Sequence, residues 1–130
     1  YGYGPYESYS DKHRASWVDR FDTTVDDMFE DYVFPQENGS HYNCQYASVG
    51  NLFAKGKKPF SFQASRYSEK ELDEKAHNFE LVPSDGIYVA LDYKQSGIGS
   101  NSFGPRLAEK YQLREEKIEW EISLQFDNNN

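Results

Sequence analysis

A single cysteine, Cys44, stands in 130 residues. An internal disulfide and a multi-thiolate zinc cage are therefore excluded. Basic residues are also scarce: 14 Lys and Arg face 22 Asp and Glu, for a net charge of −8. Such a surface repels phosphate backbones, and no nucleic-acid partner is expected. No run approaches the ~20 apolar residues of a membrane span, so no membrane partner is expected. No signal peptide is visible, and a cytoplasmic location is expected. A (β/α)₈ barrel needs roughly 200 residues or more and does not fit in this chain. Isoleucine, leucine, valine and phenylalanine make up only a fifth of the residues, at the border of disordered compositions. The 11 tyrosines and 2 tryptophans shift the balance back, so aromatics must carry the core.

The chain starts on Tyr1, and four tyrosines fall in its first ten residues. Disordered tags rarely carry so many groups that favour burial. The segment reads as the interior of a longer chain, cut at a loop. Residues 1–41 show no clear periodicity beyond a helical turn over 23–29. Pro35 disfavours the α region at Phe34, so residues 33–35 read as extended. Glu37-Asn38-Gly39 is a turn signal, with Gly39 free to take a positive φ.

The remainder reads as strands. Tyr42, Cys44 and Tyr46 alternate with polar or small residues, as do Phe60, Phe62 and Ala64. Residues 55–59, Lys-Gly-Lys-Lys-Pro, read as a solvated loop between them. Ser68 and Glu71 have capping-box spacing, which starts a short helix running to about His77 with Leu72 and Ala76 on one face. Residues 79–82 and 87–93 read as two strands of a hairpin around the turn Pro83-Ser84-Asp85-Gly86. The clearest alternation comes last: Ile118, Trp120, Ile122, Leu124 and Phe126 against charged and polar neighbours, the pattern of a sheet wet on one face. Five strands and one short helix predict an all-β antiparallel sandwich. Its unpaired edges imply that further strands come from elsewhere.

Four stretches in sequence order resemble the C-terminal, small-chain domain of the glycoside hydrolase family 2 β-galactosidases. They are Tyr1-Gly2-Tyr3-Gly4-Pro5-x-Glu7-x-Tyr9-x-Asp11; Tyr32-Val33-Phe34-Pro35-Gln36-Glu37-Asn38-Gly39-Ser40-His41; Phe62-x-x-Ser65-Arg66-Tyr67-Ser68 with Leu72 and His77; and Asp92-Tyr93-x-Gln95-x-Gly97-x-Gly99-Ser100-x-Ser102-x-Gly104-Pro105. The resemblance implies a galactose-mutarotase-like supersandwich, of which residues 1–130 would be the C-terminal part. It implies a non-catalytic chain that packs on a separate catalytic barrel, within an enzyme hydrolysing β-D-galactosides such as lactose with retention. The two catalytic glutamates and the magnesium and sodium sites would lie in that barrel, so neither catalytic residue nor cofactor is expected here. The expected partners are the remaining domains, or a large subunit, and the galactoside. A stand-alone carbohydrate-binding module and a purely structural assembly subunit are the alternatives.

In this family a tryptophan on the Gly97–Pro105 loop can meet the sugar, and Phe103 is the matching position. Asn101 and Ser102 beside it could bond sugar hydroxyls while an aromatic face stacks on C–H groups. The loop departs from the family pattern in being shorter and lacking paired aspartates, and Phe103 either lines the substrate pocket or simply packs. As a phosphate cradle the loop fails, because Pro105 follows and no helix begins. Elsewhere the bland readings prevail. Asp26 and Asp27 are a chance acidic pair, Glu119 and Glu121 a solvated face, and Glu37 a turn brace. His13, His41 and His77 lack metal-ligand spacing. Cys44 is a small hydrophobe on an apolar face.

Overall fold

The computed structural model describes residues 1–99 and 105–127. It is all-β and antiparallel, with a sandwich-like arrangement of two sheets. β1 (Gly2–Gly4) and β2 (Trp17–Asp19) form a two-stranded ribbon. β3 (His41–Val49), β4 (Leu52–Ser65), β5 (Tyr88–Asp92) and β6 (Ile122–Phe126) form the main sheet. β4 is its spine. β3 runs along one edge, while β5 and β6 share the other, pairing with Ser61–Ser65 and Leu52–Gly56 respectively. One helix, α1 (Glu69–Glu74), follows β4. No helix among the described residues is long and apolar enough to cross a membrane.

Small residues let the layers approach. Cys44, Ala47, Ala54 and Phe60 form the buried core, with Phe62, Leu91, Trp120 and Ile122 packed around it. A Cβ at Gly2 would lie 2.6 Å from the Cys44 sulfur, so only glycine lets β1 cross this close. The amide of Gln45 then donates to the Tyr1 carbonyl at 2.9 Å, and the Tyr1 and Tyr46 rings stack at 5.9 Å.

Several expectations are corrected. Residues 55–59 are not a loop but part of β4. Two steps along β3, from Cys44 to Tyr46, are matched by five along β4, from Phe60 to Lys55. Pro59, which has no N–H, sits in that bulge where no ladder bond is required. Residues 79–82 form no strand. The Glu80 carboxylate accepts from the His77 amide at 2.8 Å and closes a 3₁₀ turn over Asn78–Glu80, leaving Phe79 exposed. β5 therefore pairs with β4 rather than with a hairpin partner. The terminal strand is shorter than its pattern, because β6 finds its partner only from Gly56 onward. Leu124 and Phe126 remain exposed. α1 stops at Glu74 and Ala76 is exposed. The Ser68 hydroxyl accepts from the Glu71 amide at 3.0 Å as a cap. Glu71 does not complete the box but accepts from the Val82 amide at 2.9 Å. Val33 and Phe34 bend instead of extending, and the ribbon gives the N-terminal third more order than its sequence suggests. The 3₁₀ turn at Asp26–Met28 and the positive φ of Gly39, 70°, match expectation.

Candidate functional site

Two loops and the β4–β5 face meet in an open cleft of about 440 Å³. The turn at Glu37 supplies one wall. Gly39 is held in its left-handed conformation while its amide donates to the Glu7 carboxylate at 2.9 Å. Asn38 caps the same turn from within, accepting from the Glu30 amide at 3.0 Å and donating to the Gln36 carbonyl at 2.9 Å. The opposite wall is the chain leaving β5. The Gln95 side-chain amide donates to Glu37 at 2.7 Å and accepts from the Ser40 hydroxyl at 3.1 Å. Tyr9, Gln63, Glu69 and Asp92 also line it.

Burial, followed by the charges of Asp92 and Glu69, pushes the Glu37 carboxyl above its ordinary range, against the pull of the Gln95 bond. Burial and Glu69 push Asp92 the same way. The two acids therefore share one kind of environment. Retaining glycoside hydrolysis needs environments that separate an acid from a nucleophile. Chemically this is a hydrogen-bonding cleft rich in amides and carboxylates.

The stem of the glycine-rich loop adds Ser96, Gly97 and Ile98 to the lining. The Asp11 carboxylate accepts from the amides of Ile98 at 3.0 Å and Gly99 at 2.9 Å. The Gly97 amide donates to the Tyr111 carbonyl at 2.9 Å, and the Leu113 amide to the Ser96 hydroxyl at 3.1 Å. The anticipated sugar contacts, Asn101, Ser102 and Phe103, lie outside the described residues. Glu37 does brace its turn, through Gln95. Asp11, Asp92 and Gln95 stand in the stretches that carry the family resemblance, but sequence reasoning gave none of them a role in a site.

The other candidates separate. His41 and His13 donate through Nδ1 to the carbonyls of Tyr3 and Tyr9, at 3.0 and 2.9 Å, and His77 pairs with Glu80. Among the described residues no three His, Cys, Asp or Glu side chains gather as a metal site. Burial pushes the Cys44 thiol up to about 11, the signature of an inert core cysteine. Asp26 pairs with Arg66 at 2.8 Å, and Glu119 and Glu121 with exposed lysines.

A sequence model of the family described as beta galactosidase small chain matches residues 1–125. A protein from Actinobacillus pleuropneumoniae named Beta-galactosidase is 48% identical over 127 residues, which are 98% of this chain and 13% of that protein. One of the same name from Staphylococcus xylosus is 42% identical over 130 residues, 97% of this chain and 13% of its own length. A third, from Vibrio cholerae, is 34% identical over 125 residues, 95% of this chain and 12% of its own. The chain thus spans only a small fraction of the length of the curated relatives it matches.

Proposed function

The chain belongs to the beta galactosidase small chain family, and from that premise we propose that it is the non-catalytic, C-terminal part of a β-galactosidase small-chain domain. It packs on a catalytic barrel carried by the rest of the enzyme or by a large subunit, and its Gly97–Pro105 loop edges the site where terminal β-D-galactosides such as lactose are hydrolysed. The observation that carries this reading is the family match along nearly the whole chain, in relatives of which it covers 13%. Supporting it are the open outer edges of β5 and β6 and the exposed Leu124 and Phe126, since bare apolar sheet surface calls for cover. The catalytic carboxylates and the metal ions of the family belong, in this reading, to the barrel. This chain holds no cofactor of its own, and the enzyme is cytoplasmic.

In the assembled enzyme Phe103, flanked by Asn101 and Ser102, offers a flat face to the sugar. An aromatic contact is worth about 0.5–1.5 kcal/mol beyond burial, so Phe103→Ala should lower kcat/KM of the full-length enzyme by roughly 2- to 13-fold with an unchanged melting temperature. Unchanged kinetics with a lowered melting temperature would make Phe103 a packing residue. The Glu37 cleft favours a second reading, a module that holds carbohydrate on its own. Calorimetric titration of the isolated chain with galactose and lactose decides it.

A further inference from the structure

We propose that β6 is a docking edge for one added strand: an extended segment of the enzyme outside residues 1–130 pairs with the backbone of Ile122, Leu124 and Phe126 and lays apolar side chains beside Leu124 and Phe126. This inference rests on the reading that the chain packs against the rest of a β-galactosidase.

The hydrogen bonds at the two ends of β6 fix which of its backbone groups face outward. Just before the strand, the Lys57 amide donates to the Glu121 carbonyl at 3.2 Å; just after it, the Asp127 amide donates to the Asn51 carbonyl at 2.9 Å. Along an antiparallel pair, hydrogen-bonded positions alternate with non-bonded ones. Both ends therefore turn the backbone groups of Ser123 and Gln125 toward β4. Those of Ile122, Leu124 and Phe126 point away from it, onto the outer edge. Among the described residues, β6 pairs with β4 alone. Three donors and three acceptors thus stand in a row with the spacing of a ladder.

The side chains of the same residues carry the core face outward. Ile122 packs against the core. Leu124 lies opposite Ala54 and Phe126 opposite Leu52, so both share the face of Ala54, a buried core residue. Cover stops there, for Leu124 is 49% and Phe126 59% exposed. The sequence does nothing to blunt this edge. Edge strands are usually protected by charges, prolines or bulges. Ile122-Ser123-Leu124-Gln125-Phe126 has no charge, no proline and no glycine, and its register with β4 is unbroken. The β3 edge is treated differently. There the Tyr1 carbonyl accepts from the Gln45 amide and the Tyr1 nitrogen donates to the Tyr46 carbonyl, each at 2.9 Å.

The occupant is a strand from the enzyme's own remainder. In the curated relatives the matching region is 13% of one longer polypeptide, so most of the chain lies outside it. A tethered strand meets the edge at high effective concentration, whereas a second copy must arrive by diffusion. Strand addition draws affinity from main-chain hydrogen bonds and specificity from alternate side chains. The added strand therefore carries apolar residues at every second position and no proline at its paired positions.

The test is hydrogen–deuterium exchange of the full-length enzyme, resolved to single amides, with hydroxyl-radical labelling of Leu124 and Phe126 alongside. The amides of Ile122, Leu124 and Phe126 should exchange as slowly as those of Ser123 and Gln125, about 100-fold or more below an unstructured peptide of the same sequence. That protection should persist when subunits are separated by dilution, and both side chains should resist labelling. Fast exchange at Ile122, Leu124 and Phe126, whether or not Ser123 and Gln125 are slow, would overturn strand addition. If Leu124 and Phe126 still resist labelling in that case, the packing reading stands; if both label freely, it falls too. Edge protection that disappears on dilution would assign the edge to a second copy and overturn the occupant proposed.

Discussion

Glu7 sits in the middle of an otherwise uncharged tyrosine-rich run and ends up 6% exposed. It is tolerated there because its oxygens are occupied: Lys12, the Tyr32 hydroxyl and the Gly39 amide all donate to it. Burial pushes its carboxyl up, but these three bonds and the lysine charge pull it down further, and it settles below the usual value of 4.5. A depressed folded value means the stabilisation is complete above about pH 4.5 and is lost as pH falls through the folded value. Glu7→Ala strands the Tyr32 hydroxyl and the Gly39 amide and should cost about 2–4 kcal/mol at neutral pH. The penalty should shrink in acid, as followed by urea midpoints across pH. Asp92 has the opposite sign. Burial and Glu69 raise it above 3.8, so its contribution is present below that value and is lost as pH rises through the raised one. Asp92→Asn should therefore raise the melting temperature near pH 7 by a few degrees and change nothing below about pH 3.5. A melting temperature at pH 7 equal to the parent's would show that Asp92 does not feel the cleft's charge.

At the scale of elements, alternation located the strands but not their ends or partners. The runs at Tyr42 and Phe60 became β3 and the end of β4, because each side chain's face is set by the two-residue period. The bulge at residues 55–59 was hidden, since lysines, glycine and proline spell a loop wherever they occur. Only pairing on both edges of β4 keeps them in the sheet. The false strand at residues 79–82 was lost to local capping bonds, which outcompete a weak apolar pattern. The site was legible at the Glu37 turn and in the glycines of the stem. Asp11 was not, because its partners lie some ninety residues away and no local pattern records such a pairing. Asn43 adopts φ 57° at the register shift in β3, a conformation that asparagine tolerates and β-branched residues do not. Asn43→Val should cost about 1–2 kcal/mol and Asn43→Gly only tenths, as read from paired denaturant melts. Trp120 lies just before β6, packs on the core, and keeps its indole N–H buried without a partner among the described residues. Trp120→Ala should cost about 3 kcal/mol. Trp120→Phe, which removes an unpaired donor while keeping most of the packing, should be close to neutral.

For the molecule as a whole, the question is whether residues 1–130 could perform any of the family's chemistry alone. Retaining hydrolysis needs two carboxyl groups about 5–5.5 Å apart, one protonated to donate to the leaving oxygen and one ionised to attack. Glu37 and Asp92 are two acids that line one cleft, both with carboxyls raised above the ordinary range. Both are raised, by burial first and then by neighbouring acids. Glu37 is further committed to Gln95. The cleft is also open on one side, whereas a hydrolytic pocket buries most of its substrate between several walls. The purified chain should therefore show no turnover of a chromogenic β-galactoside above the uncatalysed rate. Adding the remainder of the enzyme should restore activity through contacts that cover the exposed Leu124 and Phe126. Replacing both by lysine should weaken that reconstitution at least tenfold, since two buried apolar side chains contribute about 1.5–3 kcal/mol each. Turnover by the isolated chain that disappears in Glu37→Gln or Asp92→Asn would place catalysis in this cleft and sink the non-catalytic reading.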